Sequence, residues 1–372
     1  MSSITLYGTP LSLYTGRARS YFIKAGLAYR EVTPNNLHYL KKIVPQAGGR
    51  QGMPTIETAD GTVIRDGAAI IEHFEAIAGH PFSPSTPKQR ILSLLFDVIG
   101  AEGLLRPAMH YRWNFPKENL EFLRFHFQSV MPPGPERAAN AETAADRMRA
   151  ACSSFGAVPE TFELVESLYQ ELLKKLDRHF GEQPYLLGSK PCIGDFGLIA
   201  PLYAHLGRDP KPLSLMQAEA IRLFRWVERM NRPELDVGEF EIQNGSYLAE
   251  DQVPDSLLDL LRHIAIDFVP ETAAAAACIN QWIEAQEVLA PGTPLLRGVG
   301  SASFEVQGTT INALAQPYRF YLLERAQSTF ASLSEQEQQT VADMLRSCSM
   351  YELLDIKLTR DIGRKNNLEI WL

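Results

Sequence analysis

The sequence has no Cys-x-x-Cys pair and no cysteine before position 152; Cys152, Cys192, Cys278 and Cys348 are scattered without metal-ligand spacing. No metal centre is expected from such a set, and unpaired thiols fit a reducing cytoplasm. No apolar run approaches the ~20 residues that a membrane-spanning helix needs. The opening MSSITLYGTP lacks the basic and apolar segments of a secretory leader, so a cytoplasmic location is expected. Positive charge is also short. Lys and Arg number 36 against 44 Asp and Glu, a net charge of −8, which speaks against nucleic-acid binding. A local basic pocket for an anionic ligand stays compatible with that balance.

With 372 residues there is room for two or three domains of ~100–200 residues each. Hydrophobic residues at 45% and charged residues at 22% are the make-up of a soluble globular protein. The most informative stretch is 52–74, GMPTIETADGTVIRDGAAIIEHF. Residues 55–58 and 62–64 read as strands around Asp60-Gly61, a hairpin signal because it tolerates positive φ. Helical spacing then takes over, with Ile70, Ile71, Phe74 and Ile77 on one apolar face before Gly79. Pro54 stands at the entrance of the first strand, where a cis X-Pro bond is tolerated and would offer the Met53 backbone to a ligand. Asp66-Gly67 marks the handover from strand to helix, where free N–H groups would face an incoming anion.

A Met-Pro-Thr-Ile hairpin followed by an acidic residue and a helix resembles the second half of the glutathione transferase N-terminal domain, which has an α/β thioredoxin-like fold. The resemblance implies that Met53, before a cis Pro54, pairs through its backbone with the cysteinyl part of glutathione. It implies that Asp66, with Gly67 beside it, holds the γ-glutamyl end. Gly67 departs from the family pattern, which carries a Ser or Thr hydroxyl there.

Upstream, residues 4–7 and 29–32 read as strands flanking a helix that ends at Gly26. They form the βαβ half of the same fold. Redox members place two cysteines at the start of this helix, where the dipole favours a thiolate. Here the loop is Leu11-Ser12-Leu13-Tyr14-Thr15-Gly16-Arg17, and dithiol exchange is excluded. Serine-type glutathione transferases carry their catalytic hydroxyl in this loop, shortly before an Arg-x-Arg; Ser12, with Arg17 and Arg19, matches. The resemblance gives Ser12 the task of favouring the glutathione thiolate. That matters because a thiol of pKa ~8.5 is only a few per cent ionised at pH 7. A helix-capping role for Ser12 stands beside this one, and Tyr14 and then Tyr7 are the rival hydroxyls. Of Lys41, Lys42, Arg50 and Gln51, Lys41 best matches the Lys, Arg or Gln that meets the glycyl carboxylate in the family; a solvated surface lysine is the competing reading.

Pro-rich residues 79–87 mark a boundary, and the pattern beyond is helical. The expected organisation is a thioredoxin-like domain at 1–82, an all-α domain at 88–235 and a mostly helical extension at 236–372. In the family the helix around His110-Tyr111-Arg112-Trp113-Asn114-Phe115 lines the electrophile pocket, which nominates Tyr111 and Trp113; packed core is the competing reading. Residues 184–206 resemble the family's second signature, with Asp195 as a buried folding residue and Cys192 where a Ser or Thr cap usually stands. The resemblance ends near 235. In the extension, helices are expected near 256–269, 273–288 and 317–328, and from Ser334 with a capping box to Glu337. A short hairpin is expected around Gln307-Gly308. Covering the cleft, building a dimer interface and buttressing the helices are all open as its task.

The first functional reading is a glutathione-dependent transferase that joins the glutathione thiolate to an apolar or aromatic electrophile. Glutathione is then a co-substrate, no metal is implied, and a homodimer is the family norm. The second reading is a non-catalytic transferase-like binding protein whose extension is the working surface. A cysteine-dependent reductase or lyase is weakened because the first 151 residues hold no cysteine.

Overall fold

The structure, a computed structural model, describes residues 4–233, 239–241 and 244–372. The boundary expected at 235/236 lies outside the described residues. Strands β1 (Ile4–Tyr7), β2 (Tyr29–Val32), β3 (Thr55–Glu57) and β4 (Val63–Arg65) form one sheet in the order β2-β1-β3-β4. β1 runs parallel to β2 and antiparallel to β3, and β3 runs antiparallel to β4, the mixed sheet of a thioredoxin-like domain. Side chains alternate across a strand, so Leu6 enters the main core with Phe22 and Ile70. Its neighbour Tyr7 turns to the other face, against Tyr39 and Ile43. Helices α1 (Leu13–Lys24), α2 (Val44–Gln46) and α3 (Gly67–Ala78) complete this region, and Gly79 at φ 74° closes α3.

The helical part comprises α4 (Pro87–Val98), α5 (Leu105–Trp113), α6 (Pro116–Val130), α7 (Arg137–Ala150), α8 (Phe162–Glu182), α9 (Ile193–Ala204), α10 (Pro210–Glu219) and α11 (Ile221–Met230). A π-helical turn, Ile99–Gly103, joins α4 to α5. Asp195 is fully buried at the start of α9. Its carboxylate accepts from Cys192 N at 2.8 Å, Leu186 N at 3.2 Å and the Trp226 indole at 3.1 Å, so it ties three segments together.

The extension departs from the sequence expectation in two places. Two separate helices were expected, but α12 (Asp255–Glu284) runs unbroken through Pro270. A mid-helix proline costs about 3 kcal/mol. Burial of Leu257, Leu261, Ile264, Phe268, Ala275 and Ile279 along the whole helix outweighs it. The hairpin β5 (Ser301–Val306) and β6 (Thr309–Leu314) precedes α13 (Tyr318–Ala331), α14 (Glu335–Ser347) and α15 (Glu352–Asp355). Ser334 and Glu337 form the expected capping box of α14. The chain then makes a hairpin with no counterpart in the sequence reading, β7 (Ile362–Lys365) and β8 (Leu368–Trp371). Helices α13 and α14 lie on α4, and α12 lies on α8. One core runs from Ile4 through Leu95 and Leu261 to Trp371.

Candidate functional site

The site is built where α1 and α3 begin. Ser12 is the extended residue before α1, and its Oγ accepts from Thr15 N at 3.4 Å. It donates its own proton to no other described residue. Tyr14 donates to the Ala101 carbonyl at 3.4 Å, across the gap to the π-helical turn. Burial, followed by the charge of Glu102, holds its hydroxyl well above the ordinary tyrosine range. Tyr7 donates to Glu57 Oε2 at 2.9 Å on the opposite sheet face. Of the three candidate hydroxyls, only that of Ser12 keeps an uncommitted proton among the described residues.

The Met53–Pro54 peptide bond is cis. Met53 is exposed, and its N–H and C=O bond to no other described residue. Tyr39 orients the approach to it, because its hydroxyl donates to the Gly52 carbonyl at 2.9 Å and accepts from Gly52 N at 3.2 Å. Pro54 O accepts from Asp66 N at 3.0 Å, so the cis-proline loop and the start of α3 are locked together. Asp66, at φ 85°, caps α3 through Oδ1, which accepts from Ala68 N at 2.9 Å and Ala69 N at 3.2 Å.

Gly67 is crowded. A Cβ there would lie 3.2 Å from Arg17 Cδ, 3.4 Å from Tyr14 O and 3.6 Å from Pro54 Cγ. A side chain at Gly67 would therefore press on Arg17, which is buried and ion-paired with buried Asp97. Asp97 also accepts from Arg325 of α13 at 2.9 Å. The extension makes a second contact of this kind: Tyr318 Oη lies 2.9 Å from Asp66 Oδ1 and 2.8 Å from Oδ2.

Ser12, Tyr14, Met53, Pro54, Asp66 and Gly67 thus share one locality. Lys41 is exposed on the π-helical turn Tyr39–Ile43, two residues beyond the Tyr39 that holds Gly52. Tyr111 and Trp113 lie elsewhere, inside the helical part. The Tyr111 ring is stacked on Phe115 and tilted against Tyr169, while Trp113 packs on Phe127 beneath Arg149.

Sequence reasoning passed over Tyr318, Arg325 and Glu102. The first two carry no local signal, because their partners are hundreds of positions away. Glu102 did carry one, as a lone carboxylate in the apolar run IGAEGLL. It is buried, its Oε2 has no hydrogen-bond partner, and burial pushes its carboxyl up to about 7. The four cysteines all lie outside this locality, and burial raises every one of their thiols, Cys152 and Cys348 to about 11.

Residues 6–82 match the family model described as glutathione S-transferase, N-terminal domain. The match is confined to this N-terminal region. No curated protein matches the sequence. Among solved structures, the β-etherase LigF from Sphingobium sp. strain SYK-6 is 18% identical, with 62% of this chain and 95% of that one covered and a TM-score of 0.41. Glutathione transferase GSTFuA3 from Phanerochaete chrysosporium is 14% identical over 62% and 97% of the chains, at a TM-score of 0.43. A theta class glutathione S-transferase from Xanthomonas axonopodis pv. citri, with glutathione bound, is 21% identical over 62% and 92%, at 0.35. Likeness this distant bears on neither activity nor substrate. Among the described residues of the transferase-type domain and the rest of the chain, no helix is long and apolar enough to cross a membrane.

Proposed function

We propose that the protein is a glutathione-dependent transferase. The observation that carries this reading is the Met53 backbone, whose N–H and C=O have no partner among the described residues, next to the Pro54 carbonyl that bonds Asp66 N at the cap of α3. An extended peptide can pair with Met53 there, and a ligand ammonium can meet the Asp66 carboxylate. The sulfur then falls to the start of α1, where the helix dipole and the free Ser12 proton favour a thiolate. The thiolate attacks an electrophilic carbon, a C–S bond forms, and the electron pair leaves with the departing group or the opened ring. The thiol proton has by then passed to solvent. Most of the acceleration comes from thiolate formation and juxtaposition. Lys41 is proposed for the glycyl carboxylate; Tyr111 and Trp113, nominated for the pocket of an apolar or aromatic co-substrate, are buried among Phe115, Tyr169 and Phe127 and take no part in this reading. Work as a homodimer in the cytoplasm is part of the same reading.

Calorimetric titration with reduced glutathione tests it. Binding at or below the millimolar range is expected, and Asp66→Asn should abolish it, since Asn keeps the cap and tolerates the positive φ but removes the charge. No heat and no thermal shift at ~10 mM glutathione would sink the proposal.

A further inference from the structure

We infer that Tyr318, contributed by the C-terminal extension, is a fixed part of the glutathione site and recognises the γ-glutamyl ammonium together with Asp66. The inference rests on the glutathione reading above and assigns a specificity-determining residue from outside the transferase-type domain.

Hydrogen-bond arithmetic supplies the first argument. Asp66 Oδ1 accepts from Ala68 N and Ala69 N, the single Tyr318 proton is shared between Oδ1 and Oδ2, and Oδ2 meets no other donor among the described residues. Oδ2 therefore has capacity for another donor. The Tyr318 proton is committed to the carboxylate, which leaves the oxygen lone pairs of that hydroxyl for a donor as well. Two adjacent acceptors, one of them charged, suit an ammonium and disfavour a second anion at this point. Burial and the Asp66 charge hold the Tyr318 hydroxyl well above the ordinary tyrosine range, so it stays protonated and neutral.

The second argument is permanence. Gly67 carries no hydroxyl beside Asp66, and a Cβ there would lie 3.2 Å from Arg17 Cδ. Tyr318 brings a hydroxyl to the same carboxylate from 252 residues away. The extension that carries it is clamped around the site. Arg325 bonds Asp97 at 2.9 Å, Arg65 bonds Glu369 at 2.7 Å, Arg50 Nη2 bonds the Leu295 carbonyl at 2.5 Å, and Asn367 Nδ2 bonds the Val63 carbonyl at 2.9 Å. Residues from both ends of the chain share one core. An element held at so many points is a wall of the site.

The experiment titrates the full chain and its Tyr318→Phe variant with glutathione and with glutaryl-cysteinylglycine, the same peptide without the α-ammonium. The wild-type protein should prefer glutathione. Tyr318→Phe should weaken glutathione about 10-fold and leave the des-amino peptide unchanged, with a native thermal transition. Equal weakening of both peptides, no change, or tighter glutathione binding by the variant overturns the inference while the glutathione reading stands. Equal wild-type affinity for the two peptides also overturns it, without recourse to any variant. Failure of the wild-type protein to bind either peptide removes the glutathione reading, and this inference with it.

Discussion

Arg65 and Glu369, 304 positions apart, form an ion pair at 2.7 Å between the edge strand of the N-terminal sheet and the last strand of the chain. Glu369 is buried and also pairs with Arg364. Asn367 reinforces the junction by accepting from Arg65 N at 3.2 Å. An exposed sheet edge invites unwanted pairing; here the terminal hairpin occupies it.

Loss of the Glu369 carboxylate leaves two cationic guanidinium groups facing each other in a partly buried place. Breaking such a pair from one side is more costly than its net contribution. We expect Glu369→Ala to lower the unfolding free energy by about 3 kcal/mol, read by urea denaturation. Arg65→Ala added to that variant should cost less than it does alone, since the pair is already gone. A change below about 0.5 kcal/mol in Glu369→Ala, the range of ordinary surface substitutions, would show that the hairpin is held by packing alone.

Ser12 is placed for two tasks, and they separate by measurement. Its capping bond to Thr15 N is long at 3.4 Å, so Ser12→Ala should cost no more than ~1 kcal/mol of stability. If its hydroxyl supports the thiolate, turnover with an aromatic electrophile should fall ~10²-fold or more. A loss under threefold transfers the role to Tyr14, and Tyr14→Phe becomes the variant to assay.

Glu102 makes stability depend on pH. Burial lifts its carboxyl from 4.5 to about 7, with Arg319 and Arg297 opposing and Glu271 and Asp66 adding to the rise. The folded state holds this proton more tightly than the unfolded chain does. Its contribution is therefore fully present below pH 4.5 and is lost as pH rises through 7. Glu102→Gln, always neutral, should match the wild type near pH 4 and exceed it by about 3 kcal/mol at pH 8. Thermal or urea unfolding at the two pH values checks this; a gap that stays constant would place the proton elsewhere.

Much of the N-terminal region was legible in the sequence because its determinants are local. The Asp60-Gly61 turn, Pro54 before a strand and Asp66 before a helix each act within a few residues, through φ preferences and capping bonds. Asp195 was readable for the same reason. The Ser334–Glu337 box was too, since Ser334 N bonds Glu337 Oε2 three residues on. Pro270 misled for a physical reason: a local helix-breaking preference of a few kcal/mol yields to apolar burial along thirty residues of α12. What covers Asp66, what pairs with Arg17 and what closes the sheet edge depend on Tyr318, Asp97 and Glu369. No periodicity or motif links those positions, because contacts between residues 80 to 304 apart arise only when the whole core condenses. Short-range stereochemistry thus determined the α/β domain and its cis-proline loop, while long-range burial decided that the extension packs against Asp66, Asp97 and the edge strand.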